Sequence, residues 1–152
     1  MNIYALSSGR GPSGIAIVRI SGKSSLKVCK NLTQLKEIKS NEINFCKFYD
    51  PKTKNVIDPE ALLLWFPAPN SYTGDDLAEF QVHGSNAVIN ALLKALSEQD
   101  DCRLAEPGEF TKVAFQNDKI DLLKAESIGA VSYTHLRAHE TSLHLVCRLL
   151  LE

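Results

Sequence analysis

The segment Gly14–Ile20, which reads GIAIVRI, decides the fold class. It consists almost entirely of β-branched and apolar residues, which is typical of a short buried strand. A second segment, Leu77–Val82 (LAEFQV), alternates apolar with polar residues. This alternation places Glu79 and Gln81 on one face of a strand and the apolar residues between them on the other. Both segments are therefore predicted to be strands of a sheet with a buried side.

The rest of the chain mixes strand and helix signals. Ile43–Tyr49 and Leu62–Phe66 are predicted strands, and the residues Asp50–Asn55 have the composition of a turn, which favours a hairpin. Polar caps or proline mark the helices, which we expect to begin after Ser24, after Ser85, at Pro107 and near Asp121. Strands and helices do not alternate strictly. The pattern predicts an α+β fold with a mainly antiparallel sheet and packed helices.

Composition indicates an ordinary globular domain. The 152 residues include 44% apolar and 23% charged residues, and the length suits one domain with a sizeable core. The net charge of -1 and the pI near 6.4 give no global basic field for nucleic acid, although a local patch stays open. No apolar run approaches a membrane span, and the N-terminus lacks the pattern of a secretory signal. We therefore expect a cytoplasmic protein with no membrane partner.

The four cysteines are widely scattered and include no CxxC pair. This spacing predicts neither a zinc site nor a disulfide framework, and we expect reduced thiols that are mostly buried. The cysteines are Cys29, Cys46, Cys102 and Cys147.

Three long blocks carry a resemblance to a known family. They are SSGRGPSGIAIVRISG (residues 7–22), FPAPNSYTGDDLAEFQVHG (residues 66–84) and RLAEPGEFTKVAFQNDKIDLLKAE (residues 103–126). In this order and spacing they resemble the N-terminal domain of the MnmE (TrmE) family of tRNA uridine-modification GTPases. The resemblance covers residues 1 to about 131.

The resemblance implies a fold similar to tetrahydrofolate-binding domains of the aminomethyltransferase kind. It implies binding of a one-carbon tetrahydrofolate, in the 5-formyl or 5,10-methylene form, and formation of a homodimer. Full-length members contribute to carboxymethylaminomethyl modification of the wobble uridine of tRNA, together with the flavoprotein MnmG (GidA). Their GTPase domain binds GTP, potassium and magnesium.

The chain has no GxxxxGK[ST] segment, so no loop of the type that holds nucleotide phosphates is encoded in it. We expect a piece truncated before the GTPase domain, unable to hydrolyse GTP, whose status as an enzyme stays open. Residues 1–118 are predicted to be the folate-binding and dimerisation domain, and residues 119–131 the start of a helical domain. Residues 132–152 abandon the family pattern and resemble a translated sequencing adapter, so we expect a non-native tail.

The resemblance places the folate contacts on Arg19, Glu79 and Lys119. Without the resemblance, Arg19 could equally be a surface arginine in an ion pair. Glu79 and Lys119 would be more typical of a solvated strand carboxylate and an exposed turn lysine. His83 is open to two readings, either a ligand-orienting residue or general base, or a structural histidine that binds a backbone group. We predict no catalytic residue. We also predict no metal site, although His135, His139 and His144 have a spacing compatible with a metal-binding helix face.

Two alternative functions stay open. One is a freestanding folate-dependent enzyme similar to the aminomethyltransferases, and the short length speaks against it. The other is a purely structural dimerisation domain without a ligand. One-carbon transfer by the isolated chain would support the first, and dimerisation without folate binding would support the second.

Overall fold

A computed structural model describes residues 1–8 and 14–121. The chain divides into two compact units. Among the described residues, the first unit contains residues 1–8, 14–71 and 75–104, and the second contains residues 72–74 and 105–121.

The first unit is built on a six-stranded sheet with the strand order β3-β4-β5-β2-β1-β6. All neighbouring strands are antiparallel except β1 and β6, which are parallel. The strands are β1 (Asn2–Leu6), β2 (Ile15–Ser21), β3 (Ile43–Tyr49), β4 (Val56–Phe66), β5 (Leu77–His83) and β6 (Cys102–Leu104). Two helices belong to this unit, α1 (Ser25–Thr33) and α2 (Asn86–Ser97). The α+β prediction is confirmed.

Strand alternation explains where the core lies. The buried residues Val18 of β2, Leu63 of β4 and Phe80 of β5 point to one face of the sheet. They form one cluster with the apolar sides of both helices, including Leu32 of α1 and Leu92 of α2. Both helices therefore cover the same face. Burial of this cluster is the main term that stabilises the unit.

Three predicted strands have the expected positions, and two strands were missed, of which β6 lies at the edge of the sheet. The predicted segment Ile43–Tyr49 is β3. The predicted segments at Gly14–Ile20 and Leu77–Val82 correspond to β2 and β5, each displaced or extended by one residue. The predicted strand at Leu62–Phe66 is only the second half of β4. No prediction covered β1 or β6.

The N-terminal strand is fixed by a buried asparagine. Asn2 is fully buried, and its Nδ2 donates to Ser24 Oγ at 2.6 Å while its Oδ1 accepts from Ser24 N at 3.2 Å. Ser24 is the N-cap of α1, but its side chain makes no capping bond, contrary to the prediction. A Cβ atom at Gly22 would lie 2.1 Å from Asn2 Oδ1, so this close approach requires glycine.

Of the other predicted helix starts, one is confirmed and one is wrong. Ser85 caps α2 as predicted, because its Oγ accepts from Val88 N at 3.2 Å. The predicted start at Pro107 is wrong. In the second unit, α3 (Glu109–Gln116) begins two residues later, behind Gly108 in a left-handed conformation with φ 76°. The helix predicted near Asp121 lies outside the described residues.

A matched pair of leucines tests the position of the core. Leu63 is fully buried at the centre of β4, whereas Leu104 is 60% exposed on β6. We expect Leu63→Ala to lower the free energy of unfolding by about 2–5 kcal/mol, because it removes buried methyl groups and leaves a cavity. Leu104→Ala should change it by less than about 0.5 kcal/mol. Urea unfolding followed by circular dichroism measures both, and equal effects would contradict the assignment of the buried face.

Candidate functional site

The sheet has a second face, on the side opposite to α1 and α2. Strand register places its residues in cross-strand rows: Ile17 of β2, Gln81 of β5 and Leu62 of β4 form one row. Arg19, Glu79 and Leu64 form the next row. The second face is defined here by Ile15, Ile17, Arg19, Leu62, Leu64, Glu79, Gln81 and His83. It combines aliphatic residues on β2 and β4 with a polar stripe along β5.

An ion pair lies in the middle of this face. Arg19 and Glu79 are directly opposite each other on β2 and β5, and Arg19 Nη2 donates to Glu79 Oε1 at 2.8 Å. Their side chains are 28% and 21% exposed. The cross-strand neighbours are apolar, Leu64 beside Glu79 and Ala5 beside Arg19. Two of the three predicted site residues are thus in direct contact.

Lys119, the third predicted residue, belongs to the second unit. It follows α3 and is exposed, and its backbone N–H donates to Ala114 O at 2.9 Å. Its side chain passes close to Gly74, where a Cβ atom would lie 3.0 Å from Lys119 Cγ. Asn117 Nδ2 donates to Thr73 O at 2.7 Å in the same unit. The polar loop before β5 therefore has part of its structure fixed by the residues that surround Lys119.

His83 is held by a carboxylate that sequence reasoning missed. Its Nδ1 lies 2.9 Å from Asp58 Oδ1 and 3.0 Å from Oδ2, and its backbone N–H donates to Asp58 Oδ2 at 2.8 Å. Asp58 Oδ1 also accepts from Glu60 N at 3.0 Å. The ring of His83 contacts a buried carboxylate rather than the backbone group expected for a structural histidine.

The outer end of the second face borders a groove at the β3–β4 edge, with a volume of about 510 Å³. Burial and the nearby Asp58 carboxylate raise the pKa of the Cys46 thiol in this groove to about 11. A thiol with this pKa stays protonated at neutral pH and is a poor nucleophile. The groove is lined by Phe45, Cys46, Lys47, Pro59, Glu60, Ala61 and Leu62.

Two absences concern residues 1–8 and 14–121, the part of the chain that the structure describes. No group of three or more histidine, cysteine or acidic side chains in this part of the chain is arranged to hold a metal ion. None of the helices in the same residues combines the length and the apolar character that a membrane crossing requires.

The fold defines the class of the protein as an α+β domain with one mostly antiparallel sheet. Residues 2–119 match the family described as "GTP-binding protein TrmE N-terminus", and the chain belongs to this family. The resemblance found in the three sequence blocks is confirmed.

Curated relatives agree with this assignment. The chain is 57% identical over 129 residues to the tRNA modification GTPase MnmE of Pelagibacter ubique (strain HTCC1062), covering 85% of this chain and 29% of that protein. The MnmE of Zymomonas mobilis is 47% identical over 127 residues, covering 84% and 29%. The mitochondrial tRNA modification GTPase gtpbp3 of Dictyostelium discoideum is 43% identical over 133 residues, covering 84% and 26%. The chain thus spans less than a third of the length of these relatives.

The contribution of the ion pair to folding can be measured by a double-mutant cycle. Because both side chains are partly solvated, we expect a coupling energy of about 0.5–1 kcal/mol between Arg19→Ala and Glu79→Gln, decreasing as salt is added. Urea unfolding of the wild type, the two single variants and the double variant gives this energy. A coupling energy several times larger would show that the pair is mainly a folding element.

Proposed function

We propose that the chain is the folate-binding and dimerising N-terminal module of a tRNA-modification GTPase that works in the cytoplasm. Membership of the TrmE N-terminal family supports this, as do relatives named as tRNA modification GTPases. In the whole protein, a domain with GTP, potassium and magnesium would drive carboxymethylaminomethyl modification of the tRNA wobble uridine. The partner would be the flavoprotein MnmG.

The Arg19–Glu79 pair is the observation that carries the folate proposal. A pterin edge presents N–H donors, and a carboxylate is the acceptor-only group that matches them. The contact with Arg19 involves Oε1 of Glu79, and a carboxylate has capacity for further donors on its two oxygens. Arg19 would hold Glu79 in place, and the cation of Lys119 would offset the negative charge of the ligand.

The aliphatic residues beside the pair also fit a folate. Ile17, Leu62 and Leu64 lie next to the charged pair on the second face and are partly exposed. Ligand pockets commonly combine such apolar walls with a few placed polar groups. When bound, the folate would supply the one-carbon unit. The residues of this chain would bind and orient it.

Calorimetric titration of 5-formyltetrahydrofolate into the chain tests this proposal. We expect saturable binding, and a loss of tenfold or more in affinity for Glu79→Gln, Arg19→Ala and Lys119→Ala, because each removes a charged partner of the ligand. Arg103→Ala on β6 and Lys36→Ala after α1 are matched controls on exposed residues and should bind like the wild type.

Other results would change the assignment. No binding by a folded, dimeric sample would favour a purely structural dimerisation domain. Binding that is unaffected by Glu79→Gln would remove that residue from the site. One-carbon transfer by the chain alone would favour a freestanding folate-dependent enzyme.

The dimer surface that we propose is the β3 edge of the sheet. β3 is the terminal strand on one side of the sheet, and edge strands offer backbone groups for pairing with another chain. Three large apolar residues on this hairpin are strongly exposed, Ile43 at 53%, Phe45 at 80% and Val56 at 50%. A second copy of the same chain, packed on its own equivalent edge, would bury these residues in a two-fold interface.

A charge on this edge tests the dimer surface. We expect Phe45→Glu to produce a folded monomer, because a carboxylate would be buried without a partner in the interface. Light scattering coupled to size exclusion measures the mass, and circular dichroism confirms folding. Leu104→Glu, at the opposite edge, should leave the dimer intact. A dimeric Phe45→Glu protein would show that the copies associate through another surface.

A further inference from the structure

Three polar residues of β5 form a straight stripe on the second face. Glu79, Gln81 and His83 alternate with the buried Phe80 and Val82, so their side chains leave the strand on the same side. At about 3.4 Å per residue, the stripe extends about 14 Å from Glu79 to His83. One end carries an acid and the other carries an imidazole.

The stripe has aliphatic walls. Ile15 pairs with His83 and Ile17 pairs with Gln81 on β2, while Leu62 pairs with Gln81 on β4. Exposure increases along the stripe, from 21% for the side chain of Glu79 to 57% for that of His83. An elongated ligand that followed β5 would thus have one end partly enclosed and the other end near solvent.

Asp58 determines how His83 presents its ring. The Asp58 side chain is fully buried, and both of its oxygens accept backbone N–H groups, one from Glu60 and one from His83. The ring nitrogen that faces these oxygens acts as the donor, so Nδ1 carries a proton. Nε2 is then the ring atom available to a ligand. Proton binding at Nε2 would give an imidazolium with an N–H donor on that side.

We propose that His83, positioned by Asp58, is the anion-binding end of a ligand track along β5. The ligand class is an elongated molecule with hydrogen-bond donors at one end and a carboxylate at the other. A reduced folate has this form, since its pterin, aminobenzoyl and glutamate parts lie end to end. Glu79 would take the pterin and His83 would take a glutamate carboxylate. The inference therefore rests on the proposed function and extends it to His83, to which the resemblance assigned no role.

The charged groups near His83 come from the neighbouring strands. From β4, Asp58 contacts Nδ1, and the backbone N–H of Glu60 donates to the same carboxylate. Lys47 of β3 lines the groove together with Glu60. β2 contributes the uncharged Ile15, and β5 has Glu79, paired with Arg19, at its other end. A carboxylate bound at Nε2 requires a proton from the solvent there.

A neutralised ligand isolates this contact. The experiment compares 5-formyltetrahydrofolate with its glutamate dimethyl ester, which keeps the pterin and the ring but lacks the carboxylate charges. Calorimetry uses the chain and its His83→Gln variant, whose exposed substitution leaves the core unchanged. We expect His83→Gln to weaken binding of the acid about tenfold and to leave binding of the ester unchanged.

Each other outcome is decisive. Equal weakening of acid and ester would assign His83 a structural role and overturn the inference. Unchanged binding of both ligands by His83→Gln would also overturn it, while loss of binding in Glu79→Gln would still support the proposed function. If the wild type bound neither ligand, the proposed function and this inference would both fail.

Asp58→Asn tests the positioning role separately. A folded variant, checked by circular dichroism, should lose affinity for the acid but not for the ester, because its amide cannot hold the Nδ1 proton in the same way. If a folded Asp58→Asn protein bound both ligands like the wild type, the positioning role would be excluded. Should this variant fail to fold, the ester comparison with His83→Gln decides the inference.

Discussion

The pairing of β2 with β5 is the constraint on which the structure of the first unit depends. Seven consecutive residue pairs join the strands, from Ile15 opposite His83 to Ser21 opposite Leu77. Because side chains alternate along a strand, this single register puts Val18 and Phe80 into the core. The same register sets the rows of the second face. A slip of one residue would exchange the two faces and separate every cross-strand pair.

Those two strands could be predicted because their information is local. The apolar run of β2 and the alternation of β5 identify strands and indicate which residues of β5 share a face. β1 and β6 escaped prediction because their stability comes from distant partners. Asn2 pairs with Cys102, a hundred positions away, and its side chain bonds to Ser24. No short window of sequence contains such contacts.

The candidate site also has a part that could be predicted from the sequence and a part that could not. The family resemblance supplied Arg19 and Glu79, and alternation gave the face on which Glu79 lies, but only the register reveals that the two side chains touch. His83 could be singled out as a polar residue at a strand end. Asp58 could not, because its burial depends on the approach of β4 to the end of β5. Its signal in the sequence is an ordinary acidic residue shortly after a turn.

These polar groups contribute less to the free energy of folding than the apolar core does. A partly solvated ion pair adds little stability, and a well-packed apolar pair in the same row would serve the sheet as well. Folding stability alone therefore does not explain the Arg19–Glu79 pair. Folding does explain the Asp58 carboxylate, because it accepts the backbone N–H groups of Glu60 and His83. These two hydrogen bonds do not require an imidazole ring. The His83 ring is a third partner for a carboxylate that already accepts two backbone hydrogen bonds. The Arg19–Glu79 pair and the His83 ring lie on the same face of the sheet, on neighbouring strands. They contribute little to folding stability there, and they would contribute most to the binding of a ligand.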